Sequence, residues 1–416
     1  MALMSAEVMA DAGLPVTFVT ADDGADCPLD RNRIEVVALG ENWSDDSVKA
    51  GAVARALYNP RARRLLETLI ARHDTPGTVY HLHNWTKLLS PSIFQALRRV
   101  SSRLVMTAHD FALVCPNLAY SNYQRGGEAC SLTPLSGACL ATQCDRESYL
   151  HKLWRVARTL ERRMFLDLKD TRALVTIIHP DMIEYFTRGG IDADRIRVVR
   201  NPVNAYAPER IAVEDNSDLF FVGRVVHEKG VDLAAEAARL AGRRLRVIGD
   251  GAARASLAQR YPELVFEGWR NHAQISELMR EARAVLVPSR LPETFTLVAH
   301  EAMRAGIPVI AFEDVDCREA AALGAAITVP PREASSLAEA VRRLDDRAAI
   351  LDMSLKAVLH APKFSNTRGS WRDAVLDLYA ELIAARSDFR LGIGDREVVE
   401  SEPVAAASRA AQTATA

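Results

Sequence analysis

The chain has 416 residues, of which 49% are hydrophobic and 25% charged, with 52 basic against 54 acidic side chains and a formal net charge of −2. That length exceeds one ordinary domain and suits two of roughly 150–200 residues. The near-balanced charge offers no global field for nucleic acid, and none is expected as a partner. No apolar run reaches the ~18–20 residues of a membrane-spanning helix, and the opening stretch MALMSAEVMADAGLP lacks the basic start and apolar centre of a secretory signal. A cytoplasmic setting is therefore expected, in which the six cysteines are mostly thiols.

In chain order, LMSAEVMADAG reads as a helix ended by Gly13. A doubly wound domain ordinarily sets a strand and a glycine turn before that helix. Neither is found here, so the first domain is expected to lack its first strand. Strand candidates then follow at 16–20, 34–39, 78–83, 103–109, 173–178 and 196–200, with helical patterns such as RARRLLETLIARH and SPSIFQALRRV between them. The polar run 201–217 contains prolines and no periodicity, and reads as a hinge. The alternation restarts with strands expected at 218–223, 244–249, 264–268, 284–288, 308–312 and 326–330. This is the pattern of βα units around parallel sheets.

The expected organisation is an N-terminal Rossmann-like domain over 1–200, completed by a late helix at 370–386. A C-terminal domain over 218–365 and a disordered tail over 387–416 complete it. Two doubly wound units in tandem place a ligand in the cleft between their strand C-termini.

Three segments carry candidate chemistry. In FFVGRVVHEKG a strand ends at Gly223, and Arg224 and Lys229 follow before a helix opens near Gly230. Glycine allows close approach, the helix mouth presents free N–H groups, and two cations add full charge, which together suit a diphosphate. Ordinary solvated loop cations would give the same letters. VIGDG has glycines at Gly249 and Gly251 but no third, so it reads either as a nucleotide turn or as a tight strand-to-helix turn. In VPSRLPETFTLVAHEAMRAG, Pro288 and Pro292 keep Glu293 in a loop. A helix follows with Thr294 or Thr296 as cap, Gly306 beyond its end, and Leu297, Val298, Ala302 and Ala305 on its buried face. Glu293 could be simple dipole compensation. Glu301 lies too deep in the helix for that and could accept from a vicinal diol such as a ribose.

These segments in series, with VYHLHNW, VMTAHDFALVCPN and VVRNPVN in the first half, resemble the GT-B-fold retaining glycosyltransferases of family four over roughly residues 1–385. The E-x7-E pair of that family falls on Glu293 and Glu301. The resemblance implies an α/β fold of two Rossmann-like domains facing a central cleft. It implies transfer of a sugar from a nucleoside-diphosphate sugar to a glycan or lipid-linked acceptor in polysaccharide or lipopolysaccharide biosynthesis, with retention and with no cofactor or metal. Arg224 and Lys229 would hold the diphosphate and Glu301 the ribose. Glu293 would contact the transferred sugar, with His109 facing it across the cleft. Gly223, Gly249, Gly251 and the backbone at Phe295, Thr296 and Leu297 would line the donor. His83, Asn84 and Asp110 would lie on the acceptor side. Thr296 departs from the family, which usually has glycine there. The missing first strand leaves a catalytically inactive nucleotide- or partner-binding subunit as the alternative.

Three features stand apart. Cys115, Cys130, Cys139 and Cys144 fall in one long loop with 14, 8 and 4 residues between them and no CxxC pair. They read as a structural metal or disulfide staple, or as packed free thiols. His81 and His83 alternate on one strand face, either as a metal pair or as a strand end lining the cleft. The helix expected over 149–169 sets Leu150, Leu153, Trp154, Ala157, Leu160, Met164 and Leu168 to one side. Lys152, Arg155, Arg158, Arg162, Arg163 and Lys169 occupy its other positions. It reads either as a core helix with a solvated basic face or as a peripheral contact with an anionic membrane.

Overall fold

The computed structural model describes residues 1–41, 49–86 and 88–390. All twelve expected strands form. The central strands Leu104–Ala108, Leu174–Ile177, Ala282–Val287 and Val309–Phe312 bury both faces, which is what a parallel sheet covered by helices requires. The second half builds a six-stranded parallel sheet. Its order is Val265–Gly268, Leu245–Ile248, Asp218–Val222, Ala282–Val287, Val309–Phe312, Ala326–Val329. The order reverses between Asp218–Val222 and Ala282–Val287. A crevice opens there at the strand C-termini, where doubly wound sheets bind ligands.

The first half is divided. Tyr80–Leu82, Leu104–Ala108, Leu174–Ile177 and Ile196–Val198 form a four-stranded parallel sheet. Among the described residues Val16–Thr20 and Ile34–Ala38 pair only with each other, in register from Val16 opposite Ile34 to Thr20 opposite Ala38. The helix Arg368–Arg390 returns to this half. Its Trp371, Val375, Leu378 and Leu382 share one buried cluster with Val8, Met9, Val105, Leu174 and Val199. The helix is longer than the expected 370–386, and of the tail expected from 387 onward, residues 391–416 lie outside the described residues.

The two chain passages between the halves lie side by side. Val203 N–H donates to Asn366 O (3.0 Å), and Asn366 N–H donates to Asn201 O (3.1 Å). The run 201–217 is less free than a hinge reading suggests, because Tyr206, Ile211 and Val213 are buried in the second core. A small antiparallel pair, Ser121–Asn122 with Glu128–Ala129, and the short helix Gly137–Ala141 lie inside the cysteine loop; neither was expected.

The helix Tyr149–Phe165 reverses one expectation. Its Leu150, Leu153, Leu160 and Met164 face outward, while Lys152, Arg158 and Arg162 are buried. The inner arginines find some local partners, although Arg158 Nε and Arg162 Nε are buried without a hydrogen bond among the described residues. Arg158 lies 4.8 Å from the Trp154 ring centroid and 5.6 Å from that of Trp85, and Arg162 donates to Leu113 O (2.8 Å). Periodicity shows which residues share a face; it does not show which face turns inward.

Candidate active site

The strand Asp218–Val222 runs into Gly223, whose added Cβ would meet nothing closer than 3.9 Å. Arg224 follows, exposed and without a side-chain partner among the described residues. The turn His227–Lys229 then delivers the chain to Gly230 in the left-handed region (φ 69°). A Cβ on Gly230 would sit 1.9 Å from Pro288 O, so this position requires glycine sterically as well as conformationally. That contact ties the loop after Val222 to the loop after Val287. Arg290 braces the same junction: its N–H donates to Glu228 O (2.8 Å), and its guanidinium donates to His227 O and to both carboxylate oxygens of Asp232, each at 2.7 Å. Sequence reading passed over Arg290 and Asp232.

The two braced loops bring Lys229 and Glu293 together. Lys229 Nζ donates to Glu293 Oε1 at 2.8 Å. Ser289 Oγ donates to the same oxygen, and Thr296 Oγ1 lies 3.4 Å from Oε2. Gly249 and Gly251 act one layer behind: a Cβ on Gly249 would lie 1.9 Å from Gly223 O, and one on Gly251 2.4 Å from Val225 O. They let the second turn press against the Gly223–Val225 backbone, so their place in the site is to support the Arg224 loop.

The helix Leu297–Arg304 begins at Thr296. The amide of Thr296 points inward and donates to Asp316 Oδ2 (2.9 Å), which also bonds His300 Nε2 (2.9 Å). Both His300 and Asp316 are buried, and Phe295 stacks on His300 at 4.2 Å. The Thr296 amide is thus already engaged, and the first-turn amides of Leu297 and Val298 have no backbone acceptor among the described residues. Leu297 is exposed at the helix mouth, unlike the buried Ala302 and Ala305 with which it was grouped.

Glu301 lies along the flank of this helix. Tyr206 donates its hydroxyl to Oε2 (3.0 Å), and His272 Nε2 stands 3.6 Å from Oε1. Burial pushes the Glu301 carboxyl up to about 7, against a counteracting hydrogen bond from Tyr206. Neither partner was legible in the sequence, since Tyr206 lies 95 residues away without a local motif.

Across the cleft, His109 ends the strand Leu104–Ala108. Thr294 Oγ1 donates to His109 O at 3.1 Å, and Phe295 packs against the first-half core. His109 Nε2 lies 3.2 Å from His83 Nδ1, and the rings of His81 and His83 stack at 4.2 Å. His81 is held at its two nitrogens by Tyr379 (2.7 Å) and Thr107 (2.6 Å). Burial first, then the neighbouring positive charges, lowers all three imidazoles, His81 to about 3 and His109 to about 4. Burial thus favours the neutral form of each. His81 and His83 therefore form part of a stacked wall, and no group of three or more His, Cys, Asp or Glu converges as a metal site among the described residues.

A cavity of about 30 Å³ touches His83, Asn84, His109 and Asp110. Asn84 and Asp110 also fold their own loops, Asn84 Oδ1 accepting from Thr86 N–H (3.0 Å) and Asp110 Oδ1 from Ala112 N–H (2.8 Å). A second cavity, of about 50 Å³, lies between the halves and touches Glu293, Thr294, Asp316 and Tyr185.

Two doubly wound halves, each with a parallel sheet, are the architecture of the GT-B glycosyltransferases. A glycosyl transferase 4-like domain matches residues 1–202 and a glycosyl transferases group 1 domain matches residues 216–346. The chain belongs to this group 1 family. It is similar to the GDP-mannose-dependent alpha-mannosyltransferase of Mycobacterium tuberculosis, at 41% identity over 22% of this chain and 24% of the relative. It is also similar to the alpha-D-kanosaminyltransferase of Streptomyces kanamyceticus, at 27% identity over 42% of this chain and 48% of the relative. The chain thus spans a quarter to a half of the length of these relatives. Sucrose-phosphate synthase from Thermosynechococcus elongatus superposes with a TM-score of 0.66 at 19% identity, covering 92% of each chain. HepE from Anabaena in complex with UDP and glucose gives 0.61 at 17%, covering 91% of this chain and 95% of that one. At these identities the likeness is one of fold. No helix among the described residues is long and apolar enough to cross a membrane.

Proposed function

We propose that this chain transfers a hexose-type sugar from a nucleoside-diphosphate sugar to a hydroxyl of a glycan or lipid-linked acceptor, in polysaccharide or lipopolysaccharide biosynthesis and with retention of configuration. The observation that carries this reading is the 2.8 Å Lys229–Glu293 pair at the switch crevice, with Glu301 further along the adjoining helix. Arg224, Lys229 and the first-turn amides of Leu297 and Val298 receive the diphosphate. Glu301, at the Tyr206 hydroxyl, accepts from the ribose. Glu293 faces the transferred sugar, and the neutral His109 contacts it from the other wall. As the sugar–oxygen bond breaks, the electron pair moves onto the diphosphate, and the cations and helix mouth stabilise that charge. HepE, seen with UDP and glucose on a similar fold, supports a nucleotide-sugar donor.

His83, Asn84 and Asp110 are assigned to the acceptor side, beside His109. The outward Leu150, Leu153, Leu160 and Met164 are assigned to a peripheral contact with the cytoplasmic face of a membrane, where a lipid-linked acceptor would lie. A second reading, a nucleotide-binding subunit without transfer, is favoured by the divided sheet of the first half. Thermal shift with a panel of nucleotide sugars, followed by product analysis with the labelled donor that binds, tests both. Donor binding with labelled glycan product supports the transferase, donor binding without product the second reading, and no binding at all overturns the donor site.

A further inference from the structure

The donor and acceptor assignments leave the cysteine loop without a role. Residues 115–144 have only the 121–122 and 128–129 pair, one turn and a five-residue helix as regular structure. Loops of this length inside a compact domain are uncommon and usually functional. Leu118 (φ 68°), Tyr120 (48°) and Leu135 (64°) are held in the left-handed region, where non-glycine residues persist only under constraint, often at ligand clamps. The cysteines do not supply the reason. All four are free thiols, and no metal-holding group forms from them among the described residues.

The loop and the first turn of the helix Tyr149–Phe165 line a cavity of about 220 Å³, against about 30 and 50 Å³ for the two cavities described above. Its charged wall residues are Lys152, Arg125 and Glu128, with Asn117 and Asn122 beside them. Lys152 is fully buried, and its ammonium donates to the carbonyls of Cys139 and Thr142. The Tyr149 ring centroid lies 6.0 Å away, and no carboxylate pairs with the ammonium among the described residues. An ammonium has three donors, so one is left for an occupant of the cavity. Arg125, exposed at the rim, also has no side-chain partner among the described residues. A buried cation with only neutral partners is costly unless an anion shares its site. Two cations against the one exposed carboxylate of Glu128 give the lining a positive balance.

We propose that this cavity is an anion-recognising acceptor subsite, in which Lys152 and Arg125 receive a carboxylate or phosphate carried by a sugar of the acceptor. The inference rests on the transferase reading above. The volume suits a small ring with its substituents, not a length of glycan chain. Charge-assisted hydrogen bonds hold the anion. A neutral sugar leaves the Lys152 charge uncompensated, so the subsite discriminates by charge.

Its position suits an acceptor that must reach the donor. Tyr120 lines this cavity and also the one between the halves that touches Glu293. The loop meets the donor loops at two further points. Arg146 pairs with Glu228 at 2.8 Å, one residue before Lys229. The backbone at Gly127 lies so close to the 290–291 loop that a Cβ there would be 2.2 Å from Leu291 Cδ2.

The test is calorimetric titration of the full chain with D-glucuronate, with glucose 1-phosphate and with neutral D-glucose. The expected result is saturable binding of at least one of the two anions and none of glucose at the same concentrations. Stronger binding of glucuronate assigns an acidic glycan, and of glucose 1-phosphate a phosphate-linked one. Lys152→Met, which keeps the buried stem without the charge, should weaken binding at least tenfold, and Arg125→Gln severalfold. Failure of both anions to bind, or unchanged affinity in Lys152→Met, overturns the proposal. If Lys152→Met does not fold, alkylation of the wild-type chain followed by peptide mass spectrometry decides. Cys130 lines the cavity and is partly exposed, so the bound anion should slow its alkylation while Cys27, equally free and outside the loop, reacts as before. Binding that leaves Cys130 unprotected overturns the subsite. Thermal shift with nucleotide sugars keeps the two readings apart: donor binding without anion binding removes the subsite alone, and anion binding without any donor removes the transferase reading.

Discussion

Replacing Lys229 with alanine perturbs the site at its most defined contact. The ammonium stands 2.8 Å from Glu293 Oε1, with the lysine side chain 31% exposed and the glutamate 15%. A hydrogen bond to a charged group contributes about 1.5–3 kcal/mol. If Lys229 makes one such contact with the departing diphosphate, its loss lowers kcat/KM roughly ten- to 150-fold, at about 1.4 kcal/mol per factor of ten. The fold should register little, because a partly exposed ion pair contributes about 1 kcal/mol or less. Initial rates with the labelled donor identified by thermal shift, beside the melting temperature, separate the two effects. Lys229→Arg should recover part of the rate, since it keeps the charge but changes its shape. A kcat/KM within twofold of wild type for Lys229→Ala refutes the assignment, as does a loss matched by collapse of the melting transition.

Further outcomes follow from the same geometry. Glu301 has a folded-state pKa of about 7 against 4.5 for a free side chain. Stability from this group is therefore fully present below about pH 4.5 and lost as pH rises to about 7, an effect on the order of 3 kcal/mol. Glu301→Gln should flatten that fall in melting scans between pH 5 and 8, and should weaken donor binding most above pH 7. Gly230→Ala should both destabilise the fold and cut turnover more than tenfold, because its Cβ collides with Pro288 O and displaces Lys229; a variant with wild-type rate and melting point contradicts this. Asp316→Ala should cost about 3–5 kcal/mol in denaturant unfolding, since it strands His300 and frees the Thr296 amide inside the core. Leu160→Asp with Met164→Asp should abolish sedimentation with anionic vesicles while leaving the melting temperature within about 2 °C, both side chains being outward-facing.

The twelve strands were legible because β-branched runs between glycine and proline breakers leave few alternatives, and Gly13, Gly242 and Gly306 mark helix ends in the left-handed region. The site was legible where local spacing carries it. Glu293, Glu301, Arg224 and Lys229 sit in short segments whose strand-to-helix turns fix their direction. What remained hidden depends on contacts far apart in sequence. Tyr206 meets Glu301, Asp316 holds both His300 and the Thr296 amide, and Arg290 braces Asp232. None has a periodic or motif signal. The helix Tyr149–Phe165 shows a different limit. Its two faces separate cleanly in sequence, yet the cationic one turns inward, where Trp85, Trp154 and the Thr86 carbonyl meet Arg158.

The central claim is that the switch crevice of the second half holds a nucleotide-sugar whose sugar is moved to an acceptor. Incubating the full chain with the labelled donor it binds, and following both nucleotide release and the fate of the label, tests it most directly. The account predicts acceptor-dependent release of nucleoside diphosphate with the label in a larger glycan, lost in Lys229→Ala. Release that ignores acceptor, or donor bound and recovered intact, contradicts it.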